Sequence, residues 1–100
     1  MKLLTKDLLK KLPSIESTAN LKLSEVIVYV KLFTPWSNWT WYIAAYDPET
    51  GECFGLVIGF EKEWGYFNLH ELEEIRGIGG LKVERDRWFS PIKFADLKNP

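Results

Sequence analysis

The chain has 100 residues and a formal net charge of −1. That is the length of one domain, long enough to bury a core without staples. Near neutrality excludes a global basic field for nucleic acid, and the chain is not acidic enough to mimic DNA. With one cysteine, Cys53, no intrachain disulfide can form, which fits a reducing cytoplasm. The start, MKLLTKDLLKKL, lacks the apolar run of a signal peptide, and no stretch approaches a membrane span. The 46% hydrophobic and 27% charged content is ordinary for a globular chain. The 15% aromatic share is high, so large rings must either build the core or stand exposed.

Residues 5–12 predict a short helix. Thr5 suits the N-cap, Asp7 the first turn, and Leu4 and Leu9 are spaced as a hydrophobic staple. Leu4, Leu8 and Leu12 share a face, and Pro13 stops the helix. Residues 14–25 are polar and irregular. VIVYVKLF, 26–33, is the clearest strand. TPWSNW leads to a second strand over roughly 39–46. DPETG, 47–51, reads as a hairpin turn with Gly51 in the left-handed position. A third strand follows over roughly 52–60. EKEWG reads as another turn, and 65–67 as a short fourth strand. Asn68 and Glu71 form a capping-box pattern that starts a second helix. Leu69, Leu72 and Ile75 face the core, and Gly77 ends the helix. GIGG is a loop, 81–86 alternates like an edge strand, and the tail from 88 packs irregularly over an end of the sheet. The expected fold is a single α+β domain: an antiparallel meander of three to five strands with two short helices.

The 47–51 turn sets an expected register in which paired residue numbers sum to 99. Ala45 then faces Phe54, Ile43 faces Leu56, Trp41 faces Ile58 and Trp39 faces Phe60, all on one apolar face. On the other, Tyr46 faces Cys53, Ala44 faces Gly55, Tyr42 faces Val57 and Thr40 faces Gly59. If Val26, Val28, Val30 and Leu32 join the apolar face, the second face carries Tyr29, Lys31, Phe33, Thr40, Tyr42 and Tyr46. Rings with a lysine are the composition of a stacking surface. In the competing arrangement helix and tail cover one face each, and the tyrosines are structural with hydroxyls at the rim. Trp36 falls outside the alternation, as either a lid on this domain or an anchor for a partner.

Little points to catalysis, a cofactor or a metal. The one histidine, His70, lies in HELEE, which lacks the second histidine of a zincin helix and reads as a solvated face. No serine sits in a nucleophile elbow, and GIGG lacks the lysine and hydroxyl of a phosphate loop. Cys53 reads as a small buried hydrophobe. ERDR, 84–87, followed by Trp88 and Phe89, is the other local cluster. Arg85 and Arg87 beside aromatics suit phosphate or base contacts; the alternative is internal pairing with Glu84, Asp86 or the acidic second helix.

FTPWSNWTWY, FGLVIGFEKEWGYFNL and ELEEIRGIGGLKVERDRWFSP, with the opening MKLLTKDLLKKLP, resemble a family of small bacterial proteins catalogued as a domain of unknown function. Its genes are often carried on plasmids and integrative elements among DNA-handling genes. The resemblance covers nearly the whole chain. It implies no reaction, cofactor or catalytic residue, but a cytoplasmic accessory role in the transfer, maintenance or defence of mobile DNA.

The expectation is therefore a non-enzymatic binding module using Tyr29, Lys31, Trp36, Tyr42, Tyr46, Arg85 and Arg87. A protein partner or a homodimer is favoured over single-stranded nucleic acid, because nucleic-acid affinity rests on phosphate neutralisation. The second reading is a metal-dependent enzyme acting on a small or nucleic-acid substrate, which needs carboxylates converging from separate strands.

Overall fold

The computed structural model describes residues 3–98 and 100. Helix α1, Lys6–Lys11, starts where Thr5 Oγ1 accepts the Leu8 N–H at 3.2 Å. So short a helix is marginal alone and depends on packing, which Leu4, Leu8 and Leu9 supply. A further single turn, α2 (Ile15–Thr18), capped by Ser14, lies in the stretch expected to be irregular. The first strand is split into β1 (Ile27–Val28) and β2 (Val30–Phe33). After it come β3 (Thr40–Tyr46), β4 (Glu52–Ile58), β5 (Lys62–Asn68), helix α3 (Leu69–Glu74), β6 (Glu84–Arg85) and β7 (Ile92–Lys93). One antiparallel sheet has the order β5-β4-β3-β2-β6, and β1 pairs with β7 in a second, two-stranded sheet. The fold is α+β, as expected.

The 47–51 hairpin forms as its residues dictate. Asp47 Oδ1 accepts the Glu49 N–H at 2.9 Å, and Gly51 takes φ +81°. Beyond it, the sum-99 register holds only for Tyr46–Cys53 and Ala45–Phe54. The ladder then shifts by one, so that Ile43 faces Gly55, Tyr42 faces Leu56, Trp41 faces Val57 and Thr40 faces Ile58. Ala44 is the extra residue of a β-bulge. Gly55 makes the bulge sterically feasible: a Cβ there would lie 1.9 Å from the Tyr42 carbonyl oxygen. Phe60 consequently never faces Trp39 across a ladder. It stands in the β4–β5 turn, 96% exposed, with its ring edge-on to Trp39.

A second irregularity divides the first strand. The Tyr29 N–H bonds to the Ile43 carbonyl at 2.8 Å while Val30 is the residue that pairs with Ile43. Alternation therefore resets between Val28 and Val30. Val26 and Val28 go to one side of the sheet, Val30 and Leu32 to the other. The single aliphatic face expected from the sequence does not exist.

The sheet instead has two covered faces. On the helix face, Val30, Leu32, Trp41, Ile43, Tyr46 and Cys53 pack with Leu4, Leu12, Leu69, Leu72 and Val83. On the tail face, Val26, Val28, Tyr42, Ala44 and Leu56 pack beneath Phe89, Ile92, Phe94 and Leu97. Each buried Val, Leu or Ile contributes about 1.5–3 kcal/mol before chain entropy is counted. The tail is thus a second layer rather than an end cap, held by the Phe94 N–H on the Val26 carbonyl at 2.8 Å. The reading in which helix and tail cover opposite faces is the one the fold adopts.

β5 is longer than expected, seven residues where a turn and a short strand were predicted. α3 begins as expected: Asn68 Oδ1 accepts the His70 N–H at 2.9 Å, and its Nδ2 donates to the Thr50 carbonyl at 3.1 Å. Leu69 and Leu72 are buried, and Ile75 packs against them.

Candidate functional site

Two faces being covered, the candidate residues expected on one open sheet face, Tyr29, Lys31, Tyr42 and Tyr46, do not share one. Tyr42 and Tyr46 are buried, 4% and 8% exposed, on opposite faces. The Tyr42 ring meets Phe89 at 5.6 Å between centroids. Burial pushes its phenol pKa up, and the nearby Asp86 carboxylate adds to this. Tyr46 is raised too, first by burial and then by Cys53, Glu73 and Asp47.

Trp36 is a lid. Thr34 closes its loop: the Thr34 N–H donates to the Trp39 carbonyl at 3.0 Å, Thr34 Oγ1 accepts the Trp39 N–H at 3.2 Å, and the Thr34 and Ser37 hydroxyls bond each other. The loop lays the Trp36 indole flat on Gly77, where a Cβ would come within 2.2 Å of the ring. Trp36 is half-buried against the helix-face core. Trp39 does the same over Gly59 and stacks on Trp41 at 6.0 Å.

The remaining four lie at the β2–β6 edge, Tyr29, Arg85 and Arg87 around one cleft and Lys31 in a hollow beside it. Leu32 pairs with Arg85, and the Asp86 N–H donates to the Lys31 carbonyl at 2.9 Å. Asp86 then organises a turn. Its Oδ1 accepts the Trp88 N–H at 2.9 Å and its carbonyl accepts the Phe89 N–H at 3.3 Å. The turn sends Arg87 and Trp88 outward and brings Phe89 back over Tyr42. Lys31 Nζ lies 5.8 Å from the Tyr42 ring centre. Tyr29, Arg85, Asp86, Arg87 and Phe89, with Leu8 and Val30, line a cleft of about 270 Å³. A second hollow of about 410 Å³, lined by Lys31, Phe33, Thr34, Trp39 and Thr40 among others, shares Asp86 with it.

Charge pairing decides how this edge reads. Among the described residues the one contact within 4 Å between a basic side chain and a carboxylate is His70 Nδ1 with Glu73 Oε1, at 3.5 Å. Lys31, Arg85 and Arg87 have no carboxylate that close, so the internal pairing weighed for ERDR is not made. Arg85 and Arg87 line the first cleft and Lys31 the adjoining hollow, and Trp88, next in the chain after Arg87, is 94% exposed. Sequence reasoning marked Trp88 and Phe89 only as neighbours of the arginines. The signal separating them was Asp86, a side chain able to form an Asx turn that points consecutive aromatics in different directions.

No three His, Cys, Asp or Glu side chains among the described residues group closely enough to hold a metal ion. No helix among them is long and apolar enough to cross a membrane. Cys53 is fully buried and its Sγ lies 3.8 Å from the Gly51 carbonyl. Burial pushes its thiol up to about 12 from 9.0; the Leu69 backbone N–H opposes the shift and Glu52 adds to it. This has a pH consequence. Cys53, Tyr42 and Tyr46 all ionise less readily folded than unfolded. Their contribution is whole below the unfolded values, 9.0 and 10.0, and is lost as pH rises through them toward the folded values. Urea midpoints are therefore expected to fall between about pH 8 and about pH 10. Cys53→Ala should lessen the drop that begins near the thiol's unfolded value.

Comparison with curated proteins and with solved structures gave no match. One family model aligns with residues 3–95, that of Protein of unknown function (DUF2958). A match over nearly the whole chain is what the order and spacing of its aromatic and glycine-bearing segments implied, and the chain belongs to the DUF2958 family.

Proposed function

We propose that this chain is a non-enzymatic binding module whose contact surface is the basic, aromatic β2–β6 edge. The observation that carries the reading is that Arg85 and Arg87 line a cleft, and Lys31 the hollow beside it, with no carboxylate within 4 Å of any of the three, next to the exposed Trp88 in sequence. Exposed Trp and Arg are the residues that most often dominate binding energy. Guanidinium groups without partners suit carboxylate or phosphate oxygens.

An acidic segment of a protein partner fits better than single-stranded nucleic acid. Three cations accompanied by Glu84 and Asp86, on a chain of net charge −1, neutralise few phosphates. The setting we propose is an accessory role in cytoplasmic, DNA-related processes of mobile elements. The genomic company that the sequence resemblance implies supports that setting by association, and the buried free thiol is compatible with it. No grouping of carboxylates among the described residues favours the metal-dependent alternative.

The test is a tryptophan-fluorescence titration at low and high salt, with an oligoglutamate peptide and with oligo(dT) as probes. The expected result is salt-sensitive binding of the peptide, weakened about tenfold or more in the Arg85→Glu, Arg87→Glu double variant. Tighter binding of oligo(dT) than of the peptide would overturn the partner class. No binding of either probe at low salt would overturn the reading.

A further inference from the structure

The sequence suggests a homodimer through an exposed aromatic sheet face, and that face is covered. We infer that self-association instead uses the free edge of β5, by antiparallel pairing with β5 of a second copy about a two-fold axis at Gly65. Four observations lead there.

First, β5 ends the sheet, and among the described residues no strand pairs with its outer side. Second, the parity of its free main-chain groups is fixed by the ladder. The Leu69 N–H donates to the Gly51 carbonyl and the Gly59 N–H to the Glu61 carbonyl. Hydrogen-bonded pairs alternate with non-bonded ones in an antiparallel ladder. Odd-numbered residues of β5 therefore point their N–H and C=O at β4, and Lys62, Trp64 and Tyr66 point theirs outward. Third, the edge lacks the usual defences. It runs for seven residues in unbroken register with β4, without proline or bulge, and its charges sit only at the start, Lys62 and Glu63. Fourth, an aromatic ladder runs to this edge on the tail face. Phe94 meets Trp64 at 5.1 Å, Trp64 meets Phe54 at 5.6 Å, and Phe54 meets Tyr66 at 5.3 Å. Tyr66 is 63% exposed at its end.

A second copy satisfies all four conditions at once. An axis at Gly65 sets Trp64 against Tyr66 of the second copy, and the reverse. Both residues have outward main-chain groups, so the pair is a hydrogen-bonded one, and the two aromatic ladders join into one. Gly65 meets its own symmetry mate with bare backbone. An unrelated peptide would gain the hydrogen bonds but not this doubled aromatic match.

The test is sedimentation of the whole chain from about 1 to about 200 µM, a range that covers weak interfaces. Wild type is expected to dimerise reversibly within it. Gly65→Lys places like charges directly opposite each other at the axis and should weaken the dimer about tenfold. It should fold normally, because a Cβ at Gly65 meets nothing within 4 Å. Gly65→Ser puts a small, uncharged side chain at the axis and should still dimerise. Hydrogen exchange supplies a signature no other interface would give. The Trp64 and Tyr66 amides should gain protection as concentration rises, while those of Glu63, Gly65 and Phe67 are protected throughout. A monomer across the whole range, a dimer indifferent to Gly65→Lys, or Trp64 and Tyr66 amides indifferent to concentration would each overturn the proposal. The basic edge lies on the far side of the sheet, so charge reversal at Arg85 and Arg87 should leave the dimer unchanged; its failure and this one are separable.

Discussion

Gly55→Ala is expected to cost about 3 kcal/mol or more, at the upper end of what added volume does in a packed core. The new methyl would fall 1.9 Å from the Tyr42 carbonyl oxygen, 2.9 Å from its carbon and 3.2 Å from the Ile43 Cα. All three are main-chain atoms at the centre of the sheet, so no side chain can swing aside. Relief requires that β3 and β4 separate or that the bulge at Ala44 be expelled. Expulsion would restore the sum-99 register and turn every residue before the bulge to the opposite face. Against a total of about 5–15 kcal/mol, that loss is a large fraction of stability. It should lower the melting temperature by about 10 °C or more. Gly65→Ala on the adjacent strand is the matched control. Its methyl meets nothing, and the change should be within about 1 kcal/mol and of stabilising sign, because glycine loses more freedom on folding. Thermal and urea melts of the two variants give the comparison. A Gly55→Ala variant as stable as wild type would mean that the bulge does not rest on this glycine.

Tyr42→Ala should be the other large loss, about 3–5 kcal/mol, the usual cost of removing a buried aromatic ring. The ring fills the space between Ala44, Leu56 and Phe89 and lies under the Lys31 ammonium. Tyr42→Phe keeps that packing and should change stability by less than about 1 kcal/mol. The pair separates a packing role from a contact role, which the sequence left open. As a core residue, Tyr42 should give an alanine variant with a much lower urea midpoint and a phenylalanine variant that still binds the peptide probe. Unchanged stability with lost binding in both variants would return Tyr42 to the contact surface.

Much of the fold was legible because its signals are local. The Thr5 and Asn68 caps, the Gly51 turn and the α3 leucines each rest on one or two neighbouring residues, and all are found where expected. The face assignments were not, because they accumulate along a strand. A one-residue bulge inverts everything beyond it. Gly55 was a visible sign, since a glycine inside a strand often marks a bulge or a close backbone approach. The expected register instead set it opposite Ala44 in an unbroken ladder. The break at Tyr29 carried no sign at all, for neither glycine nor proline stands there. The tail layer was missed for a related reason: Phe89, Ile92, Phe94 and Leu97 have neither helix nor strand period and acquire a common face only by lying on β1 and β3.

The candidate site shows the same division. Arg85 and Arg87 stood out as a cluster, yet whether they paired internally depended on side-chain directions that ERDR does not encode. Tyr29 and Lys31 were expected on a shared sheet face; Tyr29 instead lines a cleft with the arginines, while Lys31 lies over Tyr42 in the hollow beside it. Trp36 was evenly balanced between lid and anchor, and Gly77, forty-one positions away, decides it.

The central claim is that an acidic partner is met at the β2–β6 edge, both sheet faces being covered. Amide chemical-shift mapping of the labelled chain with the oligoglutamate probe tests this most directly. Shifts should be confined to Tyr29–Lys31 and Glu84–Phe89 and should fade as salt rises. Shifts centred on the β4–β5 hairpin or on α3, with residues 84–89 unmoved, would contradict it.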